Sequence, residues 1–455
     1  MYSTLALESL AFAAFVVIAV LLPYVRRKHN YWTSRGVPVA AGQSVLTTLP
    51  VCRLDEKALT AYREVVVDAP VMGLHDAGKP CALACEVRVA SVVLGNDSFV
   101  EDDGTSPAAG FSRIPNVLTE DAMYTLAPVM AECVAELTTS MEAIANRRMT
   151  VTPRANVKRC ATIAVATCVY GQPIIDSQMK TFEDNCEQAL RARRDPVATA
   201  KHMSAYEEKT SANCFKTILC KAANTETVDF EVRSDLFTFV TCAIESTANL
   251  VTAALYELSR DHQTQSLLRE HLDSVLDEHS TSITVEQMDR VPYLENVIRE
   301  TFRKYPISPV IRRVAIKPYT VEKQQKSVTI EPGVLTLVPV HAYHHDKRHF
   351  ANPEEFQPHR FPGQLSSAYM PYGSGPQSYI GKNFVSLEAK MIIAMLISKY
   401  EFNVNSAEPG RTPDPFDKSS FAGVKVQLSN RLQRDRTLEE SLRHINEKNK
   451  LFKLF

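Results

Sequence analysis

The sequence predicts a mostly α-helical chain with small β-sheets. Three observations carry that prediction. From about residue 118 to 300, apolar residues recur at the spacing of a buried helix face. Residues 307–340 instead hold alternating and β-branched runs, PVIRRVAI and SVTIEPGVLTLVPV, which read as strands and hairpins. Helix returns at about 382–400 and gives way from 401 to strands and a polar tail.

In chain order, the first element is an uncharged apolar run, LAFAAFVVIAVLL, at 10–22. Extended back through Glu8 to Thr4 it reaches about 20 residues, enough to span a bilayer. Arg26, Arg27 and Lys28 follow at once, the order of a signal anchor whose basic flank stays in the cytoplasm. A cleaved signal peptide would put basic residues before the run and a small-x-small site after it, and the sequence has neither. A single N-terminal anchor over 1–28 is therefore expected, with the bulk of the chain cytosolic. Residues 51–100 mix short apolar runs with Gly and Pro turns, as in a small N-terminal sheet. Residues 235–260 read as a long central helix. Residues 291–305, VPYLENVIRETFRKY, read as an amphipathic one.

The chain has 455 residues and a formal net charge of −1 with mixed signs, so nothing points to nucleic acid. Its ten cysteines are scattered without metal-ligand spacing, which suits reduced, mostly buried thiols in a cytosol-facing protein. The last is Cys242, so the C-terminal half cannot supply a thiolate.

Five motifs stand in the C-terminal half of the chain. Residues 369–388 contain an aromatic-G-x-G-P loop (Tyr372, Gly373, Gly375, Pro376) that leads through Ile380 and Gly381 into a helix. Glu300 and Arg303 share one helix face by their three-residue spacing. PEEFQPHRF at 353–361 supplies Arg360, and HHD stands at 344–346. The central helix carries Cys242-Ala243-Ile244-Glu245-Ser246-Thr247. Together these resemble the cytochrome P450 family over almost the whole chain. YWTSRGVP at 31–38 resembles the stretch after the anchor in animal microsomal members, those grouped with drug-metabolising and insect detoxifying enzymes.

The resemblance implies a cytochrome P450-like fold, with residues 29–455 as one large domain although the length alone would allow several. It implies haem, an endoplasmic reticulum membrane location, a reductase partner and monooxygenation of a lipophilic small molecule. Tyr372, Gly373, Gln377 and Gly381 would belong to the haem loop. Glu245, Ser246 and Thr247 would relay protons on the distal helix. Ala243 there replaces the usual glycine. Glu300, Arg303 and Arg360 would form a buried structural network.

Departures concentrate at the cofactor. The family's axial cysteine is Tyr379, and the arginine two residues before it is Gln377. A thiolate donates electron density that promotes O–O cleavage. A tyrosine oxygen lies ~6.5 Å from its Cα against ~2.8 Å for a cysteine sulfur, from ordinary bond lengths. The other positions for propionate partners fall near Pro107, Phe111 and Val310, where no basic residue stands. Arg312, Arg313 and Arg113 are the nearby substitutes. The motifs that support the fold are kept and those that hold the cofactor are altered. That split favours a non-catalytic or altered relative that binds a lipophilic ligand or a partner. The alternative is an active haem oxidoreductase, either a monooxygenase or an enzyme that rearranges peroxides with Tyr379 as ligand. Residues RARRDP and AYEEKTSANC, between Gly171 and the central helix, lack the long apolar helices that roof the family's substrate cavity.

Overall fold

The computed structural model describes residues 30–40, 54–64, 69–101, 119–191 and 230–431, with short gaps inside those spans, together with Ala19 and Arg26. The expected anchor over 1–28 therefore lies almost wholly outside the described residues. In chain order the elements used below are α1 (Leu54–Glu64), β1 (Val71–Asp76), β2 (Lys79–Ala84), α2 (Val87–Gly95) and β3 (Phe99–Glu101). Then come α3 (Glu120–Asn146), β4 (Thr150–Val151), α4 (Pro153–Tyr170), α5 (Asp176–Arg191) and α6 (Phe230–Arg260). They are followed by α7 (His262–Asp273), α8 (Val285–Asp289), α9 (Pro292–Lys304), β5 (Ile311–Ala315), β6 (Tyr319–Lys323) and β7 (Lys326–Ile330). The last are β8 (Leu335–Val338), α10 (Val340–His344), α11 (Lys382–Lys399), β9 (Tyr400–Asn403) and β10 (Val426–Asn430). The architecture is mostly helical with small sheets, as the sequence predicts.

The chain forms two compact units. The first comprises Met1–Ala109, Ser308–Ala351 and Ser366–Ser378. Its sheet has the order β1-β2-β8-β5-β3, with β6 and β7 as a separate hairpin. β2 runs parallel to β8, and the other neighbours are antiparallel. The expected small sheet in 51–100 is present, but α1 precedes its strands and α2 separates β2 from β3. α2, VRVASVVLG, is rich in β-branched residues that favour strands. It is helical because Val89, Ala90, Val93 and Leu94 form one buried stripe, and α2 packs on β2 and β8.

The second unit comprises Gly110–Ile307, Asn352–Leu365 and Tyr379–Phe455. α6 runs through it and packs against α4, α5, α7, α9 and α11. α6 starts before the expected residue 235. Residues 239–260 are long and apolar enough to cross a membrane, yet 83% of their 18-residue apolar window is buried in the protein, so this helix is the axis of a core. β4, β10 and β9 form a three-stranded sheet at its side.

Candidate functional site

The glycine loop ends the first unit. Gly373 and Gly375 both take left-handed backbone angles, with φ of 79° and 74°. A Cβ on Gly375 would meet the Cα of Gly95 at 2.7 Å and the Leu94 carbonyl at 2.8 Å, so only glycine lets the loop lie on the end of α2. His344 anchors the loop's start, its Nε2 accepting from the Met370 amide at 3.0 Å. Tyr372 is half-buried. Arg313 is buried on β5, where it donates to the Arg312 carbonyl at 3.0 Å. Arg312 is held by Asp55 at 2.8 Å. Val310 is buried. Gln377, with Pro376, Ile380, Pro107, Phe111 and Arg113, lies outside the described residues.

In the second unit three adjacent residues of α6 face three ways, because each step along a helix turns by about 100°. Glu245 faces α4. There Arg154 donates to it and Lys158 Nζ lies 3.0 Å from its Oε1. Burial, the largest single influence, would lower the Lys158 pKa, but the attraction and hydrogen bond of Glu245 together with the charge of Glu183 make the net shift upward. Arg154 also donates to Asn249 at 2.9 Å. Ser246 faces Tyr379. Thr247 faces α11, where it donates to Glu388 Oε2 at 2.8 Å. The structure thus separates the three residues that the sequence groups as a relay.

Tyr379 is 2% exposed. Its ring folds back over the start of α11. A Cβ on Gly381 would come within 2.6 Å of both Cζ and the phenol oxygen. Burial raises the phenol's pKa well above its usual value. Cys242 adds to that rise, while the Ser246 hydroxyl beside the phenol works against it. Cys242 and Ser246 lie one helical turn apart on the same face of α6, and both are buried. Next to this group Phe239 of α6 packs edge-on against Phe384 of α11, ring centroids 5.7 Å apart.

Glu388 is the residue that sequence reading missed. It has no exposure at all, and burial pushes its pKa up to about 8 against the pull of the Thr247 hydrogen bond. Its Oε1 has no hydrogen-bond partner among the described residues. Around it, burial raises the thiols of Cys133, Cys160 and Cys168, and the nearby Glu388 raises them further. The signal was available: a lone acid inside the apolar stretch of α11. Among the described residues no group of three or more His, Cys, Asp or Glu is placed to hold a metal ion.

Glu300, Arg303 and Arg360 come together. Arg303 donates to both Glu300 oxygens, at 2.7 and 3.0 Å, and neither side chain is exposed. Arg360 Nε reaches Glu300 Oε1 at 3.0 Å, and the Gln357 amide reaches the same oxygen at 2.8 Å. Arg303 also donates to the Glu355 carbonyl at 3.2 Å. This network fixes the 352–361 segment to α9.

A family model for Cytochrome P450 matches residues 174–428, more than half of the chain. The chain is 24% identical to Cytochrome P450 6a8 of Drosophila melanogaster over 90% of its own length and 96% of that protein's. It is 25% identical to Cytochrome P450 6a2 of the same organism, over 86% and 92% of the two chains. Over 41% of this chain and 36% of the other it is 33% identical to Taurochenodeoxycholic 6 alpha-hydroxylase of Sus scrofa. The helical architecture, the glycine loop and these matches agree: the chain belongs to the cytochrome P450 family, whose cofactor is haem and whose members oxidise lipophilic substrates with electrons from a reductase.

Proposed function

We propose that this chain is a membrane-anchored member of the family that keeps the fold but does not carry a thiolate-ligated haem and does not monooxygenate. It acts instead as a binding protein for a lipophilic small molecule at the endoplasmic reticulum membrane. The observation that carries this reading is the place of Tyr379. A haem needs a slot between two walls, roughly 7 Å apart if each face makes ordinary van der Waals contact. Here the side chain at the ligand position meets Ser246 of α6 directly, and it is packed over Gly381. The residues do not fit the cofactor.

The test is the haem-to-protein ratio of the purified chain, with the absorption of its reduced carbonyl complex. Little haem and no thiolate-type band are expected. Stoichiometric haem with that band would overturn the proposal. The anchor is tested separately, by carbonate extraction and protease protection. The chain should stay with the membrane pellet and its C-terminal part should be digested from outside the vesicles.

One relative's name is that of a hydroxylase, and this favours a second reading, an active haem oxidoreductase. With Tyr379 as ligand the phenol would have to ionise, since tyrosinate is the ligating form. Its burial and the neighbouring Cys242 both oppose that. Glu245 and Ser246 would then be the proton-handling residues.

A further inference from the structure

We infer that Tyr379 is the packing element that closes the interior between α6 and the start of α11, so that this fold stands without a prosthetic group. The inference rests on the reading that no haem is held. It goes further in giving the ring a structural task, so that the space it fills would take up small neutral aromatics only when the ring is removed.

Four observations converge on it. The ring is buried, with 2% exposure. Its far end lies where Gly381 alone leaves room, since the next atom on that backbone would come within 2.6 Å of Cζ. On α6 the residues beside it, Cys242 and Ser246, share one face and are small. The Phe239–Phe384 pair joins the same two helices in the same region. An aromatic side chain therefore bridges α6 and α11 beside another aromatic pair. Loss of the ring would leave a cavity of phenol size, lined by Cys242, Ser246 and Gly381, in a core that cannot fully collapse. Engineered core cavities of about this size take up small aromatic molecules. The surroundings suit a neutral guest: burial holds Glu388 in its uncharged form.

The experiment is thermal unfolding of the full chain in detergent, with p-cresol as the probe. Tyr379→Phe should melt close to wild type. Tyr379→Ala should lose roughly 5 °C or more, the scale of an aromatic-to-alanine core deletion. Millimolar p-cresol should raise the melting temperature of Tyr379→Ala and leave wild type unmoved. Gly381→Ala should lose stability without rescue, because the ring is still present and displaced. If Tyr379→Ala does not fold, Tyr379→Leu with the same probe serves. Wild-type melting of Tyr379→Ala, or an equal p-cresol effect on both proteins, would overturn the inference. Haemin titration of wild type is the separate arm. Stoichiometric uptake there would overturn the cofactorless reading itself, whatever the melting series gives.

Discussion

Thr247 donates its hydroxyl to Glu388 across 2.8 Å, and neither side chain has any solvent exposure. A carboxylate in that position would carry a buried charge with one hydrogen bond. The group avoids this by keeping its proton to about pH 8, against an ordinary value of 4.5. In the unfolded chain it ionises above its ordinary value. Between the two values the folded state binds the extra proton, so stability falls as pH rises through that window. Below it the effect is absent, and above it the loss is complete.

Glu388→Gln keeps an acceptor for Thr247 and cannot ionise. Its stability relative to wild type should therefore grow with pH by about 1.4 kcal/mol per unit between pH 5 and 8. Denaturant midpoints at several pH values check this. A difference between the two proteins that is flat with pH would mean that Glu388 is ionised in the folded state.

Arg303→Leu should destabilise the second unit by about 3–5 kcal/mol, because it leaves the Glu300 carboxylate buried with part of its pairing gone. Arg360 still reaches Glu300 at 3.0 Å, but its own side chain is less deeply buried. Unfolding of the helical signal in denaturant measures the loss. A change below about 1 kcal/mol is the scale of an exposed pair, and would contradict the geometry.

Gly73→Ala tests the first unit through a probe that the sequence provides, its single tryptophan. Trp32 is fully buried, and its Nε1 donates to the Leu74 carbonyl at 2.9 Å. A Cβ on Gly73 would fall 2.3 Å from the indole Cγ. The ring must move, at a cost of about 1–3 kcal/mol for overpacking. Tryptophan emission should shift to longer wavelength as the indole meets water, and unchanged emission would refute the contact.

What could be read from sequence follows from how local each signal is. α6 and α9 are long enough for a helical period to repeat several times, and their positions were legible. α2 was not, because its valines favour strands and only the sheet beneath it makes them a helix face. Arg303 was legible beside Glu300 from their three-residue spacing on one helix face, whereas the pairing of Arg360 with Glu300 was legible only through the family resemblance. Glu245, Ser246 and Thr247 read as one group in sequence, yet the helix turns them toward Arg154, Tyr379 and Glu388 in succession. The length of the Tyr379 side chain could be anticipated. That it folds back over Gly381 depends on packing distant in sequence. Glu388 went unseen because its significance lies in its burial.

The deepest test separates the iron ligand from the propionate partners. Tyr379→Cys removes the ring, opens the space over Gly381 and places a thiol at the family's ligand position. If the ligand were the sole defect, this change would restore haem uptake and the thiolate-type band of the reduced carbonyl complex. Charge argues otherwise. The two propionates of a haem need cationic donors. Position 377 holds glutamine, Arg312 is already engaged by Asp55, and Val310 is apolar and buried. Tyr379→Cys alone should therefore take up little haem, and Tyr379→Cys with Gln377→Arg should take up clearly more. Haem-to-protein ratios and carbonyl spectra of wild type, both single variants and the double variant decide it. Full restoration by Tyr379→Cys alone would mean that Arg313 or another cation already serves the propionates.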